Sequence, residues 1–211
     1  MKRDSLPIFY SFRRCPYAMR ARLALVSSKQ RVNLREINLK EKPTVFLMDS
    51  PSGTVPCLVF GKTIIDESLD IMIWALKNND PDDWLLVPET SYNIISRCDT
   101  EFKDSLDKTK YASRFPHLNP LKSRSNCCRF LEDLDEKLKK PFLFGPSPKI
   151  TDMAIFPFVR QFAFIDKVWF DSQNWKNLKR WLESLLNCEE FHNIQKKYTF
   201  WPTNSNLDIF P

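Results

Sequence analysis

Apolar residues in the first 77 positions follow two rhythms. Short runs, Pro7-Ile8-Phe9-Tyr10 and Cys57-Leu58-Val59-Phe60, and the alternation Val32-Asn33-Leu34-Arg35 have the length and period of strands. Ala18, Ala21 and Leu25 share one face of a helix that begins at Pro16. Its alanines allow close approach to a sheet, while Arg20 and Arg22 are expected to point away. Leu69, Met72, Ile73 and Leu76 repeat at i, i+3, i+4, i+7 in a helix opened by Asp66-Glu67-Ser68. In Phe60-Gly61-Lys62-Thr63 glycine holds the first central position, as a type II′ turn requires, so the last two strands should pair antiparallel.

The resulting order is strand, helix, strand, a short irregular or helical piece, strand, strand, helix, which is thioredoxin-like. Asn78-Asn79-Asp80-Pro81-Asp82-Asp83 and Pro88 then form a polar, helix-breaking segment. Beyond it the period becomes 3.6. Ile95, Cys98, Phe102 and Leu106 mark one helix; Cys127, Leu131, Leu134 and Leu138 a second; Ile155, Phe158, Val159 and Phe162 a third; Leu178, Trp181, Leu182 and Leu185 a fourth. The expected fold class is an α/β thioredoxin-like N-terminal domain over residues 1–79, a linker over 80–90, and an all-α C-terminal domain over 91–211.

Hydrophobic residues make up 43% of the 211, enough for a real core, which argues against disorder. The six cysteines, Cys15, Cys57, Cys98, Cys127, Cys128 and Cys188, form neither a disulfide framework nor a paired Cys-x-x-Cys zinc pattern. A reducing compartment and no metal are expected. The apolar stretch after Met1-Lys2-Arg3 ends at Arg13-Arg14, too short for a signal peptide, and no later run approaches a membrane span. The expectation is a soluble, cytoplasmic chain with no membrane partner.

A net charge of +6 raises the question of nucleic acid. The 32 basic residues are interleaved with 26 acidic ones, as in Asp99-Thr100-Glu101-Phe102-Lys103-Asp104, which reads as a solvated face and not as a phosphate-tracking stripe. Three glycines are too few for a Walker or Rossmann loop. His117 and His192 stand in no cysteine-hydrolase pattern. In the vicinal pair Cys127-Cys128, one cysteine lies on an apolar stripe, so core packing is the expected role.

Candidate chemistry begins at Cys15-Pro16-Tyr17-Ala18. Pro16 suits the first helical position, which sets Cys15 at the helix start. There the unpaired N–H groups and the positive end of the helix dipole favour thiolate over thiol, and Arg13 and Arg14 add positive charge. A lone cysteine by itself more often packs like alanine. Two further signals follow in order. Val55-Pro56 leads into a strand and is compatible with either a cis or a trans bond. Glu67-Ser68 offers a helix N-terminus and a hydroxyl to a carboxylate, and a carboxylate to an amine.

Together with Asn38-Leu39-Lys40-Glu41-Lys42-Pro43 and Ser50-Pro51-Ser52-Gly53-Thr54-Val55-Pro56, these residues resemble the cytosolic glutathione transferases. Within them they resemble the cysteine-type, omega-like branch, whose pattern is Cys-Pro-aromatic-Ala, as in bacterial-type members. The resemblance implies glutathione as co-substrate, Cys15 as catalytic residue, and a glutathione-binding set of Tyr17, Lys42, Val55, Pro56, Glu67 and Ser68. Val55 beside Pro56 would pair with the cysteinyl part, Glu67 and Ser68 would hold the γ-glutamyl end, and Lys42 the glycyl carboxylate. A cysteine at the activating position implies a mixed disulfide, hence thiol transfer or reduction, on dehydroascorbate, glutathionylated proteins or glutathionyl adducts. Ala18 stands where a dithiol glutaredoxin would carry its second cysteine, which implies a monothiol route.

Two alternatives stand beside this reading: a non-catalytic interaction module of the same fold, and conjugation of electrophiles. The second substrate is a disulfide or an electrophilic small molecule, and a homodimer is common in the family. Tyr111, Phe115 and Trp169 are candidates for meeting that substrate, with core packing or a dimer contact as the other role for each. Transferases of this fold begin their buried sixth helix with a Ser/Thr-x-x-Asp capping box. Here Lys149 holds the hydroxyl position, so only the Asp152 half is expected, and Pro157 removes one ladder bond further on.

Overall fold

β1 (Ile8–Ser11) occupies the middle of the sheet, and Phe9, Tyr10 and Ser11 are fully shielded from water. The computed structural model describes residues 6–202 and 208–211, so the Met1-Lys2-Arg3 start lies outside the described residues. β1 pairs in parallel with β2 (Val32–Ile37) and antiparallel with β3 (Cys57–Phe60). β3 turns at Gly61 into the antiparallel β4 (Thr63–Ile65). Gly61 has φ +59° while Lys62 does not share the positive sign, which is the combination a type II′ turn needs. α1 (Pro16–Ser28) joins β1 to β2, and the expected irregular piece is a short helix, α2 (Thr44–Asp49). α3 (Ser68–Asn78) follows β4 and packs against α1.

Two details of these helices differ from the sequence reading. Arg20 and Arg22 do not point into solvent: both are buried, with eleven residues of α1 in all. The cause is a second neighbour, α10 (Glu189–Ile194), which packs on α1 in addition to α3 and leaves it no open face. In α3 the buried stripe is Ser68, Ile71, Met72, Ala75 and Leu76, so Leu69 and Ile73 are only half-buried.

The chain divides into two units, residues up to Leu85 together with Cys188–Pro211, and Leu86–Asn187. The expected helical domain of 91–211 is therefore shorter than anticipated at its C-terminal end. β5 (Phe200–Trp201) runs parallel to β2 through Glu36↔Phe200 and Ile37↔Trp201, and β6 (Asp208–Phe210) runs antiparallel to it through Val32↔Phe210 and Leu34↔Asp208. Aromatic residues favour this pairing, and Pro202 and Pro211 follow the two strands directly, where a missing donor stops the ladder.

The second unit is helical: α4 (Ser91–Arg97), a π turn over Cys98–Phe102, α5 (Lys103–Lys110), α6 (Pro120–Lys137), α7 (Ile150–Ala163), α8 (Lys167–Ser172) and α9 (Lys176–Leu186). Every residue of the four predicted stripes is buried. Cys127 packs in this core, its thiol directed at the Phe102 carbonyl. Asp152, fully buried, accepts from Lys149 N at 3.0 Å through one oxygen, and from Leu143 N at 3.0 Å and Trp181 Nε1 at 2.9 Å through the other. The carboxylate thus supplies its half of the capping box, while a lysine side chain has no acceptor to return the other half. Pro157 sits inside α7, which runs unbroken past it. Among the described residues no helix is long and apolar enough to cross a membrane.

Candidate functional site

Cys15 is the N-cap residue of α1, in extended conformation (φ −78°, ψ 124°), with Pro16 in the first turn as its fixed φ favours. The chain reaches it from β1 through Phe12-Arg13-Arg14. That turn is closed by Cys15 N donating to the Phe12 carbonyl at 2.9 Å, and its Arg13 amide donates to Glu36 Oε1 at 2.6 Å. The half-buried Cys15 Sγ lies 3.7 Å from the Val55 carbonyl oxygen, and the Val55–Pro56 bond is cis. The Arg14 guanidinium lies over the Phe12 ring, 5.2 Å from its centroid.

A cavity of about 490 Å³ opens beside this sulfur. Its lining contains the whole expected catalytic and glutathione-binding set, Cys15, Tyr17, Lys42, Val55, Pro56, Glu67 and Ser68, and three more, Leu39, Thr54 and Asp66. Four segments bring them together: the start of α1, the loop after β2, the loop between α2 and β3, and the start of α3. Lys42 Nζ donates to the Gly53 carbonyl at 2.9 Å, and Asp66 Oδ2 accepts from Ser52 N at 3.3 Å, so one wall is tied to its neighbours at both ends. Within that wall Ser50 Oγ donates to the Thr54 carbonyl at 3.3 Å, and the Ser52 and Thr54 hydroxyls are 2.7 Å apart. Gly53 provides the positive φ, +62°, at which the loop reverses.

At the opposite wall Glu67 is the N-cap residue of α3, exposed, and Ser68 is its first helical residue, buried. The open N–H groups of that first turn suit a carboxylate. Leu39, Thr54 and Asp66 escaped the reading of individual residues although all three stand inside the motifs that carried it. Their signal was adjacency to the residues chosen. Tyr111, Phe115 and Trp169 lie in the second unit, and none of them lines this cavity. Trp169 is half-buried, packed edge-on against Phe162 and Trp175 with the Arg124 guanidinium over its face.

The other thiols have a different setting from Cys15. Burial pushes Cys57 up to about 11, Cys127 to about 12 and Cys188 to about 11, and raises Cys128 as well. Cys98 is fully buried.

Residues 9–83 match the family model for the glutathione S-transferase N-terminal domain, and residues 124–184 match that for the C-terminal domain. Glutathione S-transferase DHAR2 of Arabidopsis thaliana is 26% identical over 190 residues, which cover 87% of this chain and 84% of its own length. Glutathione S-transferase omega-1 of Sus scrofa is 47% identical over a shorter stretch of 49 residues, 23% of this chain and 20% of its own. Among solved structures, a glutathione transferase family member from Pseudomonas fluorescens, crystallised with two glutathione bound, is similar with a TM-score of 0.78 at 15% identity. The match covers 92% of this chain and 94% of that one.

Proposed function

We propose that this chain, which belongs to the glutathione S-transferase superfamily, is a cysteine-type, omega-like member of it and a glutathione-dependent thiol transferase that works through a mixed disulfide on Cys15. The observation that carries the reading is the convergence of Cys15, Lys42, Val55, Pro56, Glu67 and Ser68, drawn from four separate segments, on one cavity. In the reaction, the Cys15 thiolate attacks the glutathionyl sulfur of a disulfide. The old S–S bond breaks, its other half leaves as a thiolate and takes a proton from water, and Cys15 holds glutathione as a mixed disulfide. A second glutathione thiolate attacks the glutathionyl sulfur of that bond, releasing oxidised glutathione and restoring the Cys15 thiolate.

The residues divide the work. The α1 N-terminus with Arg13 and Arg14 favours the attacking thiolate. The Val55 backbone pairs with the cysteinyl part of glutathione, Glu67 and Ser68 take the γ-glutamyl end, Lys42 the glycyl carboxylate, and Tyr17 and Pro56 complete the walls. Ala18 leaves no second thiol within the Cys15-Pro16-Tyr17-Ala18 motif to resolve the mixed disulfide, so glutathione itself does so. The reading extends to a cytoplasmic homodimer, and to dehydroascorbate or glutathionylated molecules as second substrates.

Substitution of Cys15 tests it. Wild type should reduce hydroxyethyl disulfide with glutathione far faster than it conjugates a chlorodinitrobenzene-type electrophile, and Cys15→Ser should reverse that order. A serine cannot form the disulfide, but its hydroxyl can hold a glutathione thiolate for attack on carbon. Full reductase activity in Cys15→Ser would refute the covalent route. Absence of both activities and of glutathione binding in wild type would assign the chain to the non-catalytic interaction proteins of this fold.

A further inference from the structure

Below the nucleophile's turn lies a buried ion pair that the reaction scheme does not use. Arg22 is fully buried and Glu36 nearly so, and their guanidinium and carboxylate are in direct contact through Arg22 Nη2 and Glu36 Oε2. The rest of the guanidinium is also engaged: Nε donates to Ser11 Oγ at 2.8 Å, and Nη1 to the Ile194 carbonyl at 3.3 Å. The rings of Tyr198 and Phe210 lie 5.9 and 5.7 Å from it. The second oxygen of Glu36 faces the other way and accepts the Arg13 amide at 2.6 Å, two residues before Cys15.

We propose that Glu36 is a positioning residue for Cys15: its two oxygens bridge the immobile Arg22 guanidinium to the Arg13 amide, and so fix the turn that sets the sulfur at the α1 N-terminus beside the Val55 carbonyl. This rests on the reading of Cys15 as nucleophile. The chemistry of the bridge needs two acceptors at one position. Glutamine has a single oxygen, and a buried guanidinium left without an acceptor is costlier than a released amide. In Glu36→Gln the oxygen therefore turns to Arg22, and the NH₂ group meets the Arg13 N–H, donor against donor. The turn is released while the buried guanidinium keeps a hydrogen-bond acceptor, though not its counter-charge. The cavity walls at Lys42, Val55 and Ser68 are untouched, so glutathione capture persists while the reacting sulfur is misplaced, an error that costs roughly ten- to hundredfold in rate.

The test compares wild type with Glu36→Gln in hydroxyethyl disulfide reduction, with turnover expressed per reactive Cys15 thiol. Turnover should fall roughly ten- to hundredfold while KM for glutathione stays within about twofold, and normalising to the folded protein that carries a fast Cys15 thiol separates this from a mere loss of folded protein, which would also leave KM unchanged. In ¹⁵N-labelled protein the Arg13 amide proton, shifted downfield by its carboxylate partner, should move upfield. Turnover per thiol equal to wild type with the amide resonance moved would overturn the proposal. Should Glu36→Gln not fold, Glu36→Asp retains the charge that Arg22 needs, but is one methylene too short to reach both partners. It must show the same split, and wild-type kinetics in it would be equally fatal. The two readings fail differently: if Cys15 is not the fast thiol of the wild type, the proposed function falls; if it is, and both variants are kinetically silent, only the positioning role does.

Discussion

Replacing Cys15 by alanine should abolish the fast thiol reaction of the protein, and the structure sets the size of the effect. With Cys57 and Cys188 pushed up to about 11 and Cys127 to about 12, roughly one in 10⁴ of the first two thiols and one in 10⁵ of the third is thiolate at pH 7. An unperturbed cysteine is about 3% thiolate at that pH, about three hundredfold more than the first two and about three thousandfold more than the third. Cys98 is fully buried and Cys128 is raised in the same direction, so neither rivals an accessible cysteine. Stopped-flow labelling with a disulfide probe should therefore show one fast equivalent in wild type and none in Cys15→Ala. The pH profile adds the finer test. If the α1 N-terminus and the two arginines favour the thiolate, the fast rate flattens as pH rises from 6 to 8. If they do not, it climbs about tenfold per pH unit across the whole range, as a thiol with an unperturbed pKa would. A fast phase that survives in Cys15→Ala, or a rate that climbs throughout, would refute the reasoning.

Glu67→Gln combined with Ser68→Ala should weaken glutathione binding by about 2–4 kcal/mol, since hydrogen bonds to charged groups are worth ~1.5–3 kcal/mol each and are not fully additive. Calorimetry showing wild-type affinity would remove both from the site. Asp152→Ala leaves the Leu143 and Lys149 amides and the Trp181 indole N–H without their acceptor, and should lower stability by about 3–5 kcal/mol. A urea midpoint unchanged from wild type would show that the three donors find other partners.

Period and turn chemistry made much of this molecule legible. The helical stripes of the second unit could be read most cleanly in α6 and α9, which keep a single buried face, while α7 is buried almost all round and its predicted stripe is only part of what it buries. The cavity could be read because its residues cluster in four short motifs that resemble those of the glutathione transferases, and that resemblance implied that they meet. Arg22 was misread for the opposite reason. A helix covered on two sides has no outward face for periodicity to find, and the element that covers its second side lies beyond the whole helical unit in sequence. Glu36 did leave a trace. The alternation that puts Val32 and Leu34 inward puts Glu36 inward too, and an acidic residue on the buried side of a strand demands a partner. The strands at Phe200–Trp201 and Asp208–Phe210 gave too short a pattern to separate from loop, and their pairing with β2 is a tertiary fact that no local rhythm encodes.

That pairing imposes an order on biosynthesis. A ribosome delivers β1, α1 and β2 early, but the outer edge of β2 has no partner until Phe200–Trp201 and Asp208–Phe210 have been translated, after every residue of the helical unit. The same holds for Arg22, whose Ile194 acceptor arrives equally late. The half of the protein that leaves the exit tunnel first is thus the half completed last, and through the intervening synthesis it carries a bare strand edge and a charge not yet covered. A nascent chain stalled before residue 188 holds the residues of the cavity beside Cys15 without the strands that finish their sheet.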